Sequence, residues 1–381
     1  MKHLFLRLFA WKYRYIIRPV FFLFDSETIH EFLVSQGELM GRSKIMRTIL
    51  AGLWQVKDKS LEQTIAGIHF ANPIGLSAGF DYLAQLTQIL PSMGFGFGSI
   101  GTITQKAYEG NPKPRLGRLV RSRSLMVNKG YKNGGIDQTL TKLQPLQFSH
   151  PVGISIGKTN TAEAMTQEQA IEDIIASFRQ AEASSIPFSY YELNISCPNL
   201  IGNISFYEPE RLRELLAAVT ALKLAKPLFI KMPIEKNNAE TMTMMEVISQ
   251  FPIAGVIIGN LQKDRTVPEF VPAELAKYPV GNFSGKPTWN RSNELIQLTY
   301  HKYGQKLIII GCGGVFSAED AYTKIKLGAS LIQLITGLIF QGPQLPGQIN
   351  DGLVELLRRD GYDNIHQAIG VNANKPILPV L

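Results

Sequence analysis

The stretch LIIIGCGGVFSAED, residues 307–320, shows in one piece the unit from which this chain is predicted to be built. The apolar run from Leu307 to Ile310 is typical of a buried strand. The glycines behind it allow a tight turn, and Ser317 is a suitable N-cap for the helix that would follow. The stretch therefore predicts one strand-turn-helix unit.

The unit recurs along the chain. Similar strands are predicted at 74–78, 97–101, 152–156, 190–195, 228–232, 254–258, 307–311 and 331–335. Amphipathic segments separate several of them, at 165–183, 208–224, 239–250, 291–303 and 317–328. Eight such units predict an α/β fold, a (β/α)8 TIM barrel. An open doubly wound sheet is disfavoured because no GxGxxG fingerprint occupies the first turn.

The composition is that of a large globular protein from a reducing compartment. The chain has 381 residues, of which 45% are hydrophobic and 18% charged, enough to bury a large core. Its two cysteines, Cys197 and Cys312, are too few for a disulfide framework and stand in no metal-ligand spacing. No metal site is predicted.

The N-terminal segment is basic and aromatic. Between Met1 and Phe24 there are five basic residues and no acid: Lys2, Arg7, Lys12, Arg14 and Arg18. Its apolar runs are far shorter than the roughly 20 residues needed to cross a bilayer, and no signal-peptide pattern is present. Interleaved basic and aromatic residues predict a helix in the membrane interface, with a solvated helix docked on its own domain as the alternative.

This segment sets the predicted organisation and location. A second helix is predicted from about Ser26, its N-cap, to Met46, and Trp54 to Leu61 suits a linker or edge hairpin. We therefore predict a membrane-associating helical extension at 1–50, to which the family resemblance given below adds a quinone, and a barrel at 51–381. Because the positive charge, formally +8 overall, gathers at this segment, we expect peripheral attachment at the cytoplasmic face (an inner membrane in a bacterium) rather than nucleic-acid binding.

In a TIM barrel the chemistry lies at the C-terminal ends of the strands. These ends carry small residues, amides, hydroxyls and one lysine, with no cluster suited to a metal or to acyl transfer. The glycines of GCGGV (311–315) and the turn of LITGL (334–338) follow the last two strands, where this fold binds phosphate. They predict a phosphorylated cofactor, although tight turns alone would also need glycine. The segment 260–290 would form a lid or wall here.

Two reactive side chains sit at strand ends. Lys231, in FIKMP, is predicted to point inward, where it would meet an anion or a reduced flavin; the alternative is a structural lysine paired with a glutamate. Cys197 follows the fourth strand in NISCPN and is either an inert small hydrophobe or a reactive thiol.

Several motifs, in order along nearly the whole chain, resemble those of the dihydroorotate dehydrogenases, closest to the membrane-associated, quinone-dependent class. They are FDSETIHEF (24–32), NPIGLSAGFD (72–81), MGFGFGSIGTITQKAYEGNPKPRLGRL (93–119), NISCPN (194–199), FSGKP (283–287), IIGCGGV (309–315) and GLIFQGP (337–343).

The resemblance implies roles for particular residues. It implies FMN binding by Ala78, Gly79, Thr102, Ser155, Asn194, Lys231, Gly259, Ser284, Gly285, Gly313, Gly314 and Thr336. It implies substrate binding by Asn128, Asn194, Asn199 and Asn260, and it puts Arg118 beside the quinone. It also makes Cys197 the base that removes a proton next to a carbonyl while hydride passes to the flavin. A thiol of ordinary pKa, about 8.5, is a stronger base candidate than the serine usual in the quinone class.

Four positions depart from the family pattern. Tyr82 stands where the family has a lysine, Val127 where it has a substrate-binding asparagine with Asn128 one place later, Leu261 where a threonine follows Asn260, and Ile335 where a tyrosine is frequent. Each lost charge-assisted bond costs about 1.5–3 kcal/mol, unless Lys129 or Lys132 supplies a replacement cation.

Three hypotheses follow. The first is oxidation of dihydroorotate to orotate in pyrimidine biosynthesis, with FMN as cofactor and a quinone as acceptor. The second is an FMN oxidoreductase of the same fold acting on another cyclic amide or unsaturated substrate, which the more apolar Tyr82, Val127 and Leu261 would suit. The third is a flavin-binding or membrane scaffold without catalysis, which the reactive Cys197 and Lys231 argue against.

Overall fold

Eight parallel strands close into a barrel. The computed structural model describes residues 2–375 apart from 162, 164 and 203, so the last six residues of the predicted barrel domain, 376–381, lie outside the described residues. The barrel strands are β1 (Ile74–Leu76), β2 (Phe97–Ile103), β3 (Val152–Ile156), β4 (Tyr190–Asn194), β5 (Leu228–Met232), β6 (Gly255–Ile258), β7 (Ile308–Cys312) and β8 (Leu331–Leu334). Each pairs with the next and β8 pairs with β1, so the eight predicted strands and the TIM barrel are confirmed.

Helices precede and surround the barrel. The N-terminal ones are α1 (Lys2–Lys12), α2 (Ser26–Arg42) and α3 (Lys44–Trp54), and α1 continues through a π-helical turn, Tyr13–Ile17, and a short helix, Arg18–Phe21. The helices that follow are α4 (Gly135–Leu143), α5 (Gln167–Ala183), α6 (Pro209–Thr220), α7 (Asn238–Ile248), α8 (Trp289–Tyr303), α9 (Ala318–Lys326), α10 (Thr336–Gln341) and α11 (Leu345–Asp360). The five predicted helical segments correspond to α5 to α9.

The N-terminal region differs from the prediction at two points. The single helix predicted over 26–46 is two helices, because Ser43 is extended and its side chain accepts a hydrogen bond from Met46 N–H, which starts α3. The N-cap of α2 is Asp25 rather than Ser26, because the Asp25 carboxylate accepts hydrogen bonds from the backbone of Glu27 and Thr28. The 54–61 segment forms a 3-10 turn (Lys59–Leu61), and an antiparallel hairpin follows it at Gln63–Ile65 and Ile68–Phe70.

One side of α1 packs against the C-terminal part of the chain. Leu6, Ala10 and Tyr13 are buried, and Tyr13 donates a hydrogen bond of 2.8 Å to the carbonyl oxygen of Ile339. The outward surface of α1 and of the segment after it mixes exposed basic side chains, Arg7 and Lys12, with large exposed apolar ones at Phe5, Leu8, Trp11, Tyr15, Ile16, Val20, Leu23 and Phe24. Of the helices in the described part of the chain, none has the length and apolarity needed to span a membrane.

A small antiparallel sheet borders the C-terminal end of the barrel. Its strands are Leu116–Leu119, Ser124–Val127 and Asn282–Gly285, with Ser124–Val127 in the middle. The last strand ends the long segment after β6, which also contains a short helix at Pro272–Leu275. This segment therefore supplies a wall beside the strand ends, as its position after the sixth strand suggested.

Candidate active site

A cavity of about 1160 Å³, open to solvent at its mouth, lies at the C-terminal ends of the barrel strands. Fourteen of the residues assigned to a site from the sequence line it: Ala78, Gly79, Thr102, Asn194, Cys197, Asn199, Lys231, Gly259, Asn260, Ser284, Gly285, Gly313, Gly314 and Thr336. Ser155, Asn128 and Arg118 do not line it. The strand ends thus gather most of the predicted residues into one space.

Lys231 enters this cavity from the end of β5. Its side chain is buried, and its ammonium donates to the Ser77 hydroxyl at 3.1 Å and to the Ala78 carbonyl oxygen at 3.3 Å. The glutamate partner of the alternative interpretation is not found: within the described part of the chain, Lys231 makes no salt bridge, and the buried Glu192 on β4 bonds to Ser99 and Gln333 instead. A buried cation without a carboxylate is suited to an electron-rich ligand.

Gly313 and Gly314 turn the chain after β7 with φ of +103° and +72°, a conformation that side chains with a Cβ rarely adopt. A Cβ on Gly313 would also lie 2.6 Å from the Thr288 hydroxyl. Neither backbone N–H bonds to another described residue, so both are free for an anion. On the adjacent wall the Ser284 and Thr336 hydroxyls are hydrogen-bonded to each other at 2.7 Å, which leaves one of the two O–H groups free to donate.

The β4 end is organised by a chain of polar side chains. The Asn194 amide donates to the Thr102 hydroxyl at 2.8 Å, and its carbonyl oxygen accepts from the backbone and the hydroxyl of Ser196. Ser155 lies behind Thr102, with the two hydroxyls 3.0 Å apart, so it reaches the cavity only through Thr102. The bonds fix which side of the Asn194 carboxamide carries its donor.

Cys197 follows this strand on a partly exposed loop. Burial raises the pKa of its thiol to about 11, against the opposing effects of a hydrogen bond from the Asn199 backbone and of the Lys231 and Lys263 ammonium groups. The ordinary thiol pKa expected from the sequence is therefore wrong for this structure. The thiol also borders a second, smaller cavity of about 660 Å³. Below a pH of about 11 it is mostly protonated.

Two further carboxamides face the cavity from loops. Asn199 donates to the Val127 carbonyl oxygen at 3.1 Å and accepts from the Asn282 amide at 2.6 Å. Asn260 donates to the carbonyl oxygen of Ser196, at 2.8 Å, and to its hydroxyl. Both amides are held by the protein, which fixes their orientation before any ligand arrives.

Asn128 is placed differently from the prediction. Around it, Val127 and Lys129 line the cavity, and Asn128 accepts a hydrogen bond of 3.0 Å from the Asn111 amide instead. The reason is the alternation of side chains in extended backbone, which turns every second residue away from the same face. An asparagine displaced by one position along the chain therefore does not replace the one that the family pattern has at 127.

Arg118 lies where the N-terminal segment meets the small sheet. Its guanidinium donates to the Phe24 carbonyl oxygen at 2.8 Å and stands 4.6 Å from the centre of the Phe22 ring. Burial lowers its pKa from the usual value, against the attraction of Asp25. Arg118 thus connects the barrel to the helical extension rather than lining the cavity.

The cavity residues to which the sequence assigned no role include His30, Phe80 and Tyr131, and Lys129 was considered only as a replacement cation. All four lie within the quoted motifs or beside the departures from them. His30, on α2, stacks on the Tyr82 ring at 5.5 Å and meets Phe80 edge-on at 4.7 Å. Burial, and then the charge of Lys129, hold the pKa of His30 well below its usual value, so this imidazole is neutral at pH 7. Its position shows that α2 forms part of the cavity wall.

A TIM barrel whose strand ends combine a buried, carboxylate-free lysine, a glycine anion turn after β7 and oriented amides belongs to the class of flavin-dependent oxidoreductases. A family model described as dihydroorotate dehydrogenase matches residues 60–357. The chain belongs to this family.

Relatives extend the match beyond those residues. A protein named dihydroorotate dehydrogenase (quinone) from Christiangramia forsetii is 36% identical over 347 residues, which cover 90% of this chain and 99% of that protein. One of the same name from Chloroflexus aurantiacus is 35% identical over 358 residues, covering 90% and 96%. The alignments with these relatives thus cover nine tenths of the chain.

A solved structure agrees with the fold. The crystal structure of DHODH from Eimeria tenella in complex with ferulenol superimposes with a TM-score of 0.81 at 25% identity, covering 92% of this chain and 96% of that one.

Proposed function

We propose that this chain oxidises dihydroorotate to orotate in pyrimidine biosynthesis, with FMN as cofactor and a quinone as electron acceptor. The observation that carries the proposal is a single cavity shared by the Cys197 thiol and the Lys231 ammonium. Three oriented carboxamides open into the same space: Asn194, Asn199 and Asn260. A base, a cation and amide donors and acceptors are what removal of two hydrogens from a cyclic amide requires.

The predicted cofactor residues fit FMN. The free N–H groups of Gly313 and Gly314, with the hydroxyls of Ser284 and Thr336, would hold the phosphate. Lys231 would stabilise negative charge on the ring system, because it lacks a carboxylate partner in the described part of the chain. When bound, FMN supplies the hydride acceptor and passes the electrons on.

Cys197 is the group proposed to take the substrate proton. The thiolate is the active form, and the Lys231 and Lys263 ammonium groups favour its formation while burial opposes it. The thiol needs a geometry fixed relative to the substrate, which the anchored loop supplies: Asn199 and Asn260, on either side of it, are both tied to the protein backbone. The carboxamides of these residues would then position the amide edges of the pyrimidine.

The quinone is proposed to enter between α2 and the barrel. His30 lines the cavity on this side, and its Nε2 atom is buried without a hydrogen-bond partner among the described residues. The exposed apolar side chains of the N-terminal segment, such as Trp11 and Leu23, would lie in the membrane interface and bring this side to the quinone pool. We propose peripheral attachment at the cytoplasmic face.

Of the three hypotheses, the first is favoured because relatives named dihydroorotate dehydrogenase (quinone) align with almost their whole length. The second rested on the apolar substitutions. One of them, Tyr82, is buried and has the Lys129 ammonium 4.1 Å from its ring centre, so the region is not purely apolar. The third is disfavoured because a scaffold needs no oriented thiol and amides.

Anaerobic titration of the purified protein tests the proposal. A yellow protein with an FMN absorbance spectrum is expected, and dihydroorotate at millimolar concentration should bleach it. Dihydrouracil, which has the same ring without the carboxylate, serves as the comparison and should bleach it far more slowly. A protein that keeps its flavin absorbance with dihydroorotate but loses it with dihydrouracil would refute the proposal in favour of the second hypothesis.

A further inference from the structure

Lys129 is a buried cation that the proposed mechanism has not used. It lies two residues beyond the strand Ser124–Val127, is 8% exposed, and lines the same cavity as Cys197. Its ammonium stands 4.1 Å from the centre of the Tyr82 ring. Within the described part of the chain, this ammonium makes neither a salt bridge nor a hydrogen bond. It is thus held in place by an aromatic face and otherwise unpaired.

The neighbouring lysine on the same loop is a natural contrast. Lys132 forms salt bridges with Glu27 at 3.1 Å and with Glu31 at 2.8 Å, both on α2. Its charge is therefore neutralised by the protein itself. Lys129 has no such partner, and burial lowers its pKa to about 7, although Glu27 and Glu31 act in the opposite direction. An anionic ligand would therefore stabilise the charged form of Lys129 more than that of Lys132, which is already paired with carboxylates.

The loop that carries Lys129 is tied to the strand that carries the base. The Tyr131 hydroxyl donates a hydrogen bond of 3.0 Å to the backbone carbonyl oxygen of Asn194, three residues before Cys197. Lys129 therefore projects into the part of the cavity between Tyr82, on the turn after β1, and the loop after β4. The anion turn at Gly313 and Gly314 follows β7, so a phosphate there does not account for Lys129.

We propose that Lys129 binds the carboxylate of the pyrimidine substrate and is the main determinant of the preference for an acidic ring over a neutral one. The inference rests on the proposed function and adds to it the group that recognises the charge. The loop after β2 thus places the Lys129 ammonium above the Tyr82 ring. Tyr82 lies on the turn where the family has a lysine that this chain lacks. A quinone is uncharged, so its binding would not require a cation at this place.

Equilibrium binding of orotate to the FMN-loaded protein, measured calorimetrically, tests the inference. Lys129→Met should weaken orotate binding about 10- to 100-fold, the range for one lost charge-assisted bond. The neutral carboxamide of orotate should bind wild type and variant within about threefold of each other. Lys113→Met, which removes an exposed lysine of the same segment, is the control and should leave both affinities unchanged.

The outcomes separate the inference from the function on which it rests. Wild type that bleaches with dihydroorotate while Lys129→Met binds orotate as tightly as wild type would overturn the inference and leave the function standing. An equal loss of affinity for orotate and for its carboxamide would also overturn it, since it would show a structural role. Wild type that binds no orotate overturns both. If Lys129→Met retains no FMN, Lys129→Gln provides the same comparison.

Discussion

Cys197 and Lys129 show at the residue scale how one physical effect acts in opposite directions on an acid and a base. Burial disfavours whichever form is charged, so it raises the pKa of the thiol to about 11 and lowers that of the ammonium to about 7. Both groups are therefore largely neutral near pH 8 without ligand. Their charged forms, which the proposed roles require, become favourable only with a ligand or with a change of pH.

Replacing Cys197 removes the proposed base. In Cys197→Ala the rate of flavin reduction by dihydroorotate should fall about 10²- to 10⁴-fold, the usual contribution of a positioned base. FMN content should stay that of wild type, because the anion turn at Gly313 and Gly314 is untouched. Stopped-flow absorbance measures the rate and the spectrum gives the FMN content. Unchanged reduction kinetics would remove Cys197 from the mechanism.

The raised thiol pKa predicts the pH dependence of the same step. In the proposed mechanism the thiolate is the active form, and below a pKa of about 11 its fraction rises tenfold for each pH unit. The rate of flavin reduction in wild type should therefore rise about tenfold per unit between pH 6 and pH 9. A rate that levels off below pH 8 would contradict the raised pKa.

Lys129 predicts a pH dependence of the opposite sign, for binding. Its pKa of about 7 means that the ammonium form is lost above pH 7 in the free protein, whereas a bound carboxylate raises the pKa. The dissociation constant of orotate should thus rise about tenfold from pH 7 to pH 8.5. Lys129→Arg, which stays charged, should show a flat profile. The charged or titratable groups around Lys129 are Tyr82, His30, Glu27, Glu31, Arg115 and Lys132.

Residue types and spacing made Cys197 and Lys231 predictable, since each stands at a strand end. They did not predict the place of Asn128, because a shift of one residue in extended backbone reverses the side chain. Lys129 was recognised only as a possible cation. Whether a loop lysine is neutralised, as Lys132 is, or left unpaired depends on the acids of another element, α2, and no local pattern contains that information.

At the scale of the element, α2 is a wall of the cavity as well as part of the extension. Glu27, in its first turn, is 6% exposed and pairs with Lys132 at 3.1 Å and with Arg115 at 3.6 Å, both outside the extension. His30, one turn later, packs on Phe80. The helix therefore attaches to the barrel through a buried ion pair and an aromatic contact, and both are at its N-terminal half.

Removing the buried acid should loosen this attachment. Glu27→Gln leaves Arg115 without its carboxylate partner. Breaking a buried ion pair usually costs about 3–5 kcal/mol. The cost is lower here because Arg115 and Lys132 are both partly exposed. We expect a loss of about 2–3 kcal/mol in the free energy of unfolding. Glu31→Gln is the matched control, because the Glu31 side chain is 52% exposed and should cost less than about 1 kcal/mol. Equal losses for the two variants in urea unfolding would contradict the role of Glu27.

The strands and helices of the barrel were predictable because each has an apolar run and a turn signal of its own. The break at Ser43 was not, since the apolar pattern runs on through it and the interruption is a capping bond between Ser43 and Met46. The small sheet over the barrel was also missed. Its strands Ser124–Val127 and Asn282–Gly285 are far apart in the chain, so their pairing is a tertiary property.

At the scale of the whole molecule, the charge and apolar surface are unevenly distributed. The N-terminal segment combines basic side chains with large exposed apolar ones, whereas exposed apolar residues elsewhere, such as Ile201 and Val371, stand singly. Single exposed apolar residues are ordinary, but a concentration of them marks an interaction surface. Composition alone revealed the segment. That α1 and the π-helical turn after it bury Leu6, Ala10 and Tyr13 against the rest of the chain could come only from the structure.

Because α1 is part of the core, point variants test its membrane role better than deletion, which would also uncover buried side chains. Trp11 is 52% and Leu23 83% exposed, and neither lines the cavity. Moving one apolar side chain from the membrane interface back to water costs about 2 kcal/mol. The double variant Trp11→Glu, Leu23→Glu should therefore bind vesicles that contain phosphatidylglycerol at least tenfold more weakly, as measured by co-sedimentation. Flavin reduction by dihydroorotate should be unchanged, and reduction of a long-chain quinone in the vesicles should fall. Val371→Glu, an apolar-to-acid change outside the extension, should alter none of these; equal vesicle binding by all three proteins would refute the interfacial role of the segment.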